Sequence, residues 1–69
     1  INLTSKGLTH IPLLEGEESA KEVILKSNLI SKVENLVSLP NLEKLNLSCN
    51  RINDISGLSQ IKTLEMLKF

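Results

Sequence analysis

Sixty-nine residues with 41% hydrophobic content make one small globular unit and exclude a disordered chain. Eight basic and eight acidic side chains cancel, which excludes the basic footprint of a nucleic-acid binder or of a protein drawn to anionic membranes. No apolar run nears the ~18 residues of a membrane span, and a lone cysteine, Cys49, cannot close an internal disulfide or build a metal cluster.

The chain opens on the apolar positions Ile1, Leu3, Leu8, Ile11 and Leu14. The same frame returns at Ala20, Val23, Leu25, Asn28, Ile30, Val33, Leu36 and Leu39, and again 22 residues later at Leu42, Leu45, Leu47, Asn50, Ile52, Ile55, Leu58 and Ile61. Leu64, Leu67 and Phe69 begin it once more. All 14 apolar slots of the two complete copies are filled. Random filling at this composition would achieve that on the order of a few times per million trials, so the repeat is real and no simple helix or strand period explains it. The predicted organisation is a partial repeat at 1–19, repeats at 20–41 and 42–63, and a truncated repeat at 64–69.

Within each copy the segment x-L-x-L-x alternates, which predicts a short strand with one buried face. Strands are expected near 1–4, 22–26, 44–48 and 66–69, stacked in parallel about 4.8 Å apart. The Asn that follows turns inward, so Asn28 and Asn50 should form a ladder that satisfies backbone groups left unpaired by the turn. The preceding column, Ser5, Ser27 and Cys49, is uniformly small and predicts a tight inward bend without room for bulk. Beyond the Asn, apolar residues recur every third position, the spacing of a 3₁₀ or irregular helical return. The fold class is therefore α/β, a solenoid of short parallel strands on a concave face and irregular returns on a convex one. Every apolar slot should be buried, and with Phe69 the only aromatic residue the core must be aliphatic.

The pattern L-x-x-L-x-L-x-x-N-x-[IL] is the leucine-rich repeat signature. The segment NLEKLNLSCNRINDISGLSQIKTLEML resembles the 22-residue subclass of that family, and the resemblance covers the whole chain. The subclass is typified by the nuclear regulatory subunit of protein phosphatase 1 and is shared by centrosomal and axonemal proteins. The opening INLTSKGLTHIPLLEGEESAKEVILKSNLISKVENL is similar to the start of repeat domains in a centrosomal protein that restrains cilium formation and in the leucine-rich-repeat subunit of the tubulin polyglutamylase complex. Bacterial internalins use a comparable N-x-I-x-D-I-x-x-L, close to Asn50–Leu58 here. Lys6 departs from the ladder Asn, Glu17 from an apolar slot and Ala20 from the usual Leu. A polar, degenerate first repeat is what the edge of an array carries, and the fourth copy stops mid-strand, so a piece of a longer array is expected.

Strand side chains that do not enter the core fall in three columns: Glu22, Lys44, Met66; Asn2, Ile24, Asn46, Lys68; and Thr4, Lys26, Ser48. Partner binding is expected on Glu22, Ile24, Lys26, Lys44, Asn46, Ser48, Met66 and Lys68, with Ile24 and Met66 as apolar anchors amid polar groups. Three lysines give this face a basic bias, offset by Glu22, which should pair with Lys44. His10 shares its repeat position with Lys32 and Asp54 and reads as a solvated turn residue. Cys49 has no base to activate it, and Gly7, Gly16 and Gly57 are isolated rather than a phosphate loop. Neither catalysis nor a cofactor or metal is expected from these residues. The resemblance implies a cytoplasmic protein-interaction scaffold at a centrosome, cilium or axoneme, with a protein partner such as tubulin or a phosphatase. Two other roles fit the same pattern: an extracellular receptor-type array, and a repeat appendage of an enzyme whose catalytic part lies elsewhere.

Overall fold

A computed structural model describes residues 1–69. Three strands form one sheet in the order β1 (Glu22–Ile24), β2 (Lys44–Asn46) and β3 (Met66–Lys68), and both pairings are parallel. The register sets Val23 opposite Leu45 and Leu45 opposite Leu67, so partners are 22 residues apart. The strands are shorter than the alternation predicts, and the expected strand at 1–4 is reduced to a parallel bridge between Asn2 and Ile24. Backbone bonds nevertheless continue past the strand ends: Leu25 N–H donates to Asn46 O at 2.8 Å and Ser27 N–H to Ser48 O at 2.9 Å.

β1 and β2 are each followed by a sharp turn and then a return segment. The return after β2 contains a 3₁₀ helix at Ser56–Gln60. The return after β1 forms no helix and runs through turns. A parallel bridge between Lys32 and Asp54 ties the two returns together. They approach so closely at Gly57 that an added Cβ would sit 2.1 Å from the Val33 carbonyl oxygen.

The buried hydrophobic cluster is Ile11, Val23, Leu25, Ile30, Val33, Leu36, Leu39, Leu42, Leu45, Leu47 and Ile61. Every member occupies a repeat slot, and all are aliphatic, so the 22-residue frame and the core coincide. Leu3, Leu8, Leu14, Ile52, Leu58, Leu64 and Leu67 pack against it while partly exposed.

The expectation that every slot is buried fails at Ile55, which is 56% exposed, and at Ile1 and Phe69, and is only partly met at Leu3, Leu8, Leu14, Ala20, Ile52, Leu58, Leu64 and Leu67. The reason lies in how burial is shared. Val33, one repeat earlier in the same column as Ile55, is only 1% exposed because the return after β2 lies over it. No segment lies over Ile55. A slot is buried by its neighbour rather than by its own repeat.

The small column needs correction too. Ser5, Ser27 and Cys49 are all exposed, so lack of interior space does not select them. They instead share φ values of 56°, 59° and 60°. Left-handed backbone crowds a Cβ and is worst for branched or bulky side chains. After β1 and β2, the left-handed residues Ser27 and Cys49 thus swing the chain round to present the following Asn28 and Asn50 inward.

That Asn closes the turn. Asn28, 5% exposed, donates from Nδ2 to Leu3 O and Leu25 O, each at 2.9 Å, and to Lys26 O at 3.3 Å. Its Oδ1 accepts from the backbone N–H of Lys6 at 2.9 Å and of Leu8 at 3.1 Å. Asn50 repeats the donor pattern onto Leu25 O, Leu47 O and Ser48 O, and accepts from Ile30 N–H at 3.0 Å. Each amide therefore spans its own turn and the one before it.

Unpairing a buried backbone group costs ~1–3 kcal/mol. Asn28→Ala strands two N–H groups and should destabilise more than Asn50→Ala, which strands one, while Lys6→Ala should stay within ~0.5 kcal/mol of the parent. Urea melts rank the three, and Lys6→Ala as the worst would refute the order. Gly57→Ala should cost ~1–3 kcal/mol by forcing the returns apart, and an unchanged urea midpoint would show that the two segments can separate freely.

Candidate functional site

The alternation that sends Val23, Leu25, Leu45 and Leu47 inward sends their neighbours to the opposite side of the sheet. In-register pairing then aligns these side chains across strands. Glu22 faces Lys44, which faces Met66; Ile24 faces Asn46, which faces Lys68. Asn2 joins the second row through its bridge to Ile24. Thr4, Lys26 and Ser48 lie one step past the strands, where Ser5 N–H bonds Lys26 O at 3.0 Å and Ser27 N–H bonds Ser48 O. Six of the eight side chains expected to contact a partner thus lie on the three strands, and Lys26 and Ser48 lie two residues past β1 and β2.

Their exposure is uneven. Glu22, Lys26, Lys44, Met66 and Lys68 are exposed, whereas Ile24, Asn46 and Ser48 are half-buried. Met66, 47% exposed, is therefore the more accessible apolar group, and Ile24 is partly shielded by its neighbours. Glu22 and Lys44 are register partners but do not form the expected ion pair; His10 and Glu34 are the only oppositely charged groups within 4.0 Å of each other. The charged groups of this face are therefore unpaired, while Asn46 Oδ1 accepts from Ser48 N–H and Asn2 Oδ1 from Thr4 N–H. A shallow depression of about 40 Å³ lies among Glu22, Lys44, Asn46, Met66 and Lys68. Small-molecule pockets run to roughly 300–1,000 Å³, so this surface suits another macromolecule rather than a metabolite. No three His, Cys, Asp or Glu residues lie close enough to hold a metal ion.

The family model for leucine-rich repeats in two copies matches residues 21–68, taking in all three strands and the core between them. The chain belongs to the leucine-rich repeat family. It is 33% identical over 62 residues to human leucine-rich repeat-containing protein 49, a match covering 90% of this chain and 9% of that protein. The chain thus spans a small part of that relative's length. No solved structure matches it. Leucine-rich repeats generally mediate protein–protein interaction and are typically non-enzymatic.

Several contacts between these leucine-rich repeats carried no periodic signal. Asn35 donates to Ile11 O at 2.7 Å and Asn41 to Glu18 O at 2.9 Å. One repeat away, the Asn35 column holds Leu13 and Gly57, and the Asn41 column holds Ser19 and Thr63, so neither shows as a ladder. His10, read as a solvated turn residue, is indeed exposed, yet its Nδ1 lies 3.3 Å from Glu34 Oε2. Asp54 caps its own turn: Oδ1 accepts from Ser56 N–H at 3.0 Å and Ser56 Oγ–H at 2.7 Å.

Those Ser56 bonds, with Lys32 nearby, hold the Asp54 carboxyl below the ordinary aspartate value of 3.8. The folded-state value is the lower one, so the stabilisation from ionised Asp54 is complete above the unfolded value and is lost as pH falls through the folded value. An NMR titration of the Asp54 carboxyl carbon should give a midpoint below 3.8 that moves upward in Ser56→Ala. A midpoint indifferent to Ser56→Ala would mean the turn does not hold the carboxylate.

Proposed function

We propose that this protein is an interaction scaffold that binds another protein through the outward side of its parallel sheet. The observation that carries the reading is the alignment of Glu22, Lys44 and Met66, and of Ile24, Asn46 and Lys68, in adjacent rows of side chains that are not needed for the core. Such rows at about 4.8 Å spacing give a partner many contacts in fixed geometry. Met66 supplies an apolar contact within a polar surround, the layout of an interface anchor. The returns offer less, because the 3₁₀ helix at Ser56–Gln60 has no counterpart in the return after β1.

Residues 20–41 and 42–63 are proposed as full turns of a solenoid, flanked by partial turns at 1–19 and 64–69, with the sheet on its concave side. Asn28 and Asn50 act in it as structural ladder residues, not as partner contacts. The similarity of the motifs to the 22-residue subclass supports a setting in a cytoskeletal, centrosomal, ciliary or phosphatase-regulatory complex. Tubulin and phosphatases are partners consistent with that setting. A cytoplasmic location accords with the free, exposed thiol of Cys49.

The test is Met66→Asp combined with Lys44→Glu. Both side chains are exposed, so the circular dichroism and thermal melt should be preserved. Affinity capture with the parent chain should retain a partner that the double variant loses by at least about tenfold, the scale of truncating one interface anchor. Equal retention by a folded variant moves the interface off this side of the sheet.

A further inference from the structure

We infer that the depression between β2 and β3 is a carboxylate site, and that the partner segment seated there is an extended, glutamate-bearing peptide. The inference rests on the sheet being the binding surface and assigns the chemistry that it reads.

Four side chains make the centre of the depression. Lys44 and Asn46 come from β2, Met66 and Lys68 from β3. Register places Lys44 beside Met66 and Asn46 beside Lys68, so the two lysines occupy one diagonal of a square and the amide and thioether the other. Neither ammonium has a hydrogen-bond or ion-pair partner; the only salt bridge joins His10 and Glu34. Asn46 is oriented by its own backbone. Its Oδ1 accepts from Ser48 N–H at 3.0 Å, which turns that oxygen toward its own backbone and leaves the Nδ2 donors unbonded. The square therefore holds three unbonded donor groups, and its one amide oxygen is already engaged by Ser48 N–H. Only Glu22 carries negative charge at its rim, and it stands beside Lys44 without pairing to it.

Two ammonium groups and an amide donor call for an anion with at least two acceptor oxygens, and among protein side chains the carboxylate supplies this. The fourth corner, exposed Met66, is apolar and polarizable and suits the methylenes that carry that carboxylate. Glutamate has two such methylenes and aspartate one. The depression is shallow, with Glu22 on one rim, so a side chain dropped from a passing backbone fits better than a chain end. An extended peptide sends alternate side chains to the same side about 6.6 Å apart, comparable with the ~7–8 Å diagonal between residues two apart on neighbouring strands. A second glutamate can then reach the outer side of Lys44 or Lys68.

The experiment titrates isotopically labelled protein with three synthetic octapeptides: an end-capped Ser–Glu alternation, its Gln twin, and an all-Ser peptide with a free C-terminus. The Glu peptide should shift the Asn46 side-chain amide and the Lys44, Met66 and Lys68 signals. The Gln twin and the free-carboxylate peptide should bind at least about fivefold more weakly. Lys44→Gln with Lys68→Gln should weaken the Glu peptide about tenfold and flatten its salt dependence, because exposed charge pairs are screened by added salt. Glu22→Gln should tighten it. Equal binding of the Glu and Gln peptides, shifts located elsewhere, or no shift at millimolar peptide would each overturn the carboxylate assignment. Tighter binding of the free-carboxylate peptide would overturn the choice of glutamate. If the carboxylate assignment fails while Met66→Asp with Lys44→Glu still abolishes partner capture, the sheet remains the binding surface and only its chemistry was misread.

Discussion

The fold depends on one side-chain amide used in five directions. Asn28 bonds three carbonyls and two backbone N–H groups, and these belong to two successive turns of the chain. A chain that reverses sharply after a three-residue strand leaves polar backbone groups facing a dry interior. Without a partner each would cost more than a typical net hydrogen bond returns. The amide supplies donors and an acceptor in one rigid plane, so it satisfies both turns and locks their spacing. Parallel register follows from that spacing, and the side-chain rows on the outer face follow from the register. An aliphatic core is adequate here because polar bonds, rather than shape complementarity among aromatics, specify how one turn sits on the next.

The division of labour along each strand is a consequence of backbone geometry alone. Val23 and Leu45 hold the interior while Glu22, Ile24, Lys44 and Asn46 stand outside it. Exposed strand residues can therefore change between repeats without disturbing the core, and here they do: the same position carries Glu22, then Lys44, then Met66. The recognition properties of a surface built this way are carried by what varies, and its stability by what recurs.

The same distinction explains how much could be read from the chain before its structure. Whatever recurs at 22 residues was legible: the core slots, the strand rows and the inward Asn. Properties that depend on a neighbouring turn were not. Ile55 satisfies the pattern as well as Val33 does, but only Val33 has a segment over it. The Ser5, Ser27 and Cys49 column was visible as small, yet smallness has two physical causes, and the φ values identify backbone strain rather than crowding. Asn35, Asn41 and the His10–Glu34 pair each occur once, and a single polar residue on a return looks like any other solvated one until its partner is known. The outward strand rows were legible as positions, whereas the unbonded Nδ2 of Asn46 required the bond to Ser48 to be seen.

The side-chain ties between turns are unequal along the chain. Asn28, Asn35, Asn41 and the His10–Glu34 pair all join residues 20–41 to the opening segment. From the next repeat, Asn50 links back to Leu25 and Ile30, and the Thr63 hydroxyl donates to Leu42 O. Under mechanical load applied at the two ends, the molecule is a zipper with its teeth concentrated at one end. Of the two seams, the one around Asn50 gives way before the amide-rich one around Asn28.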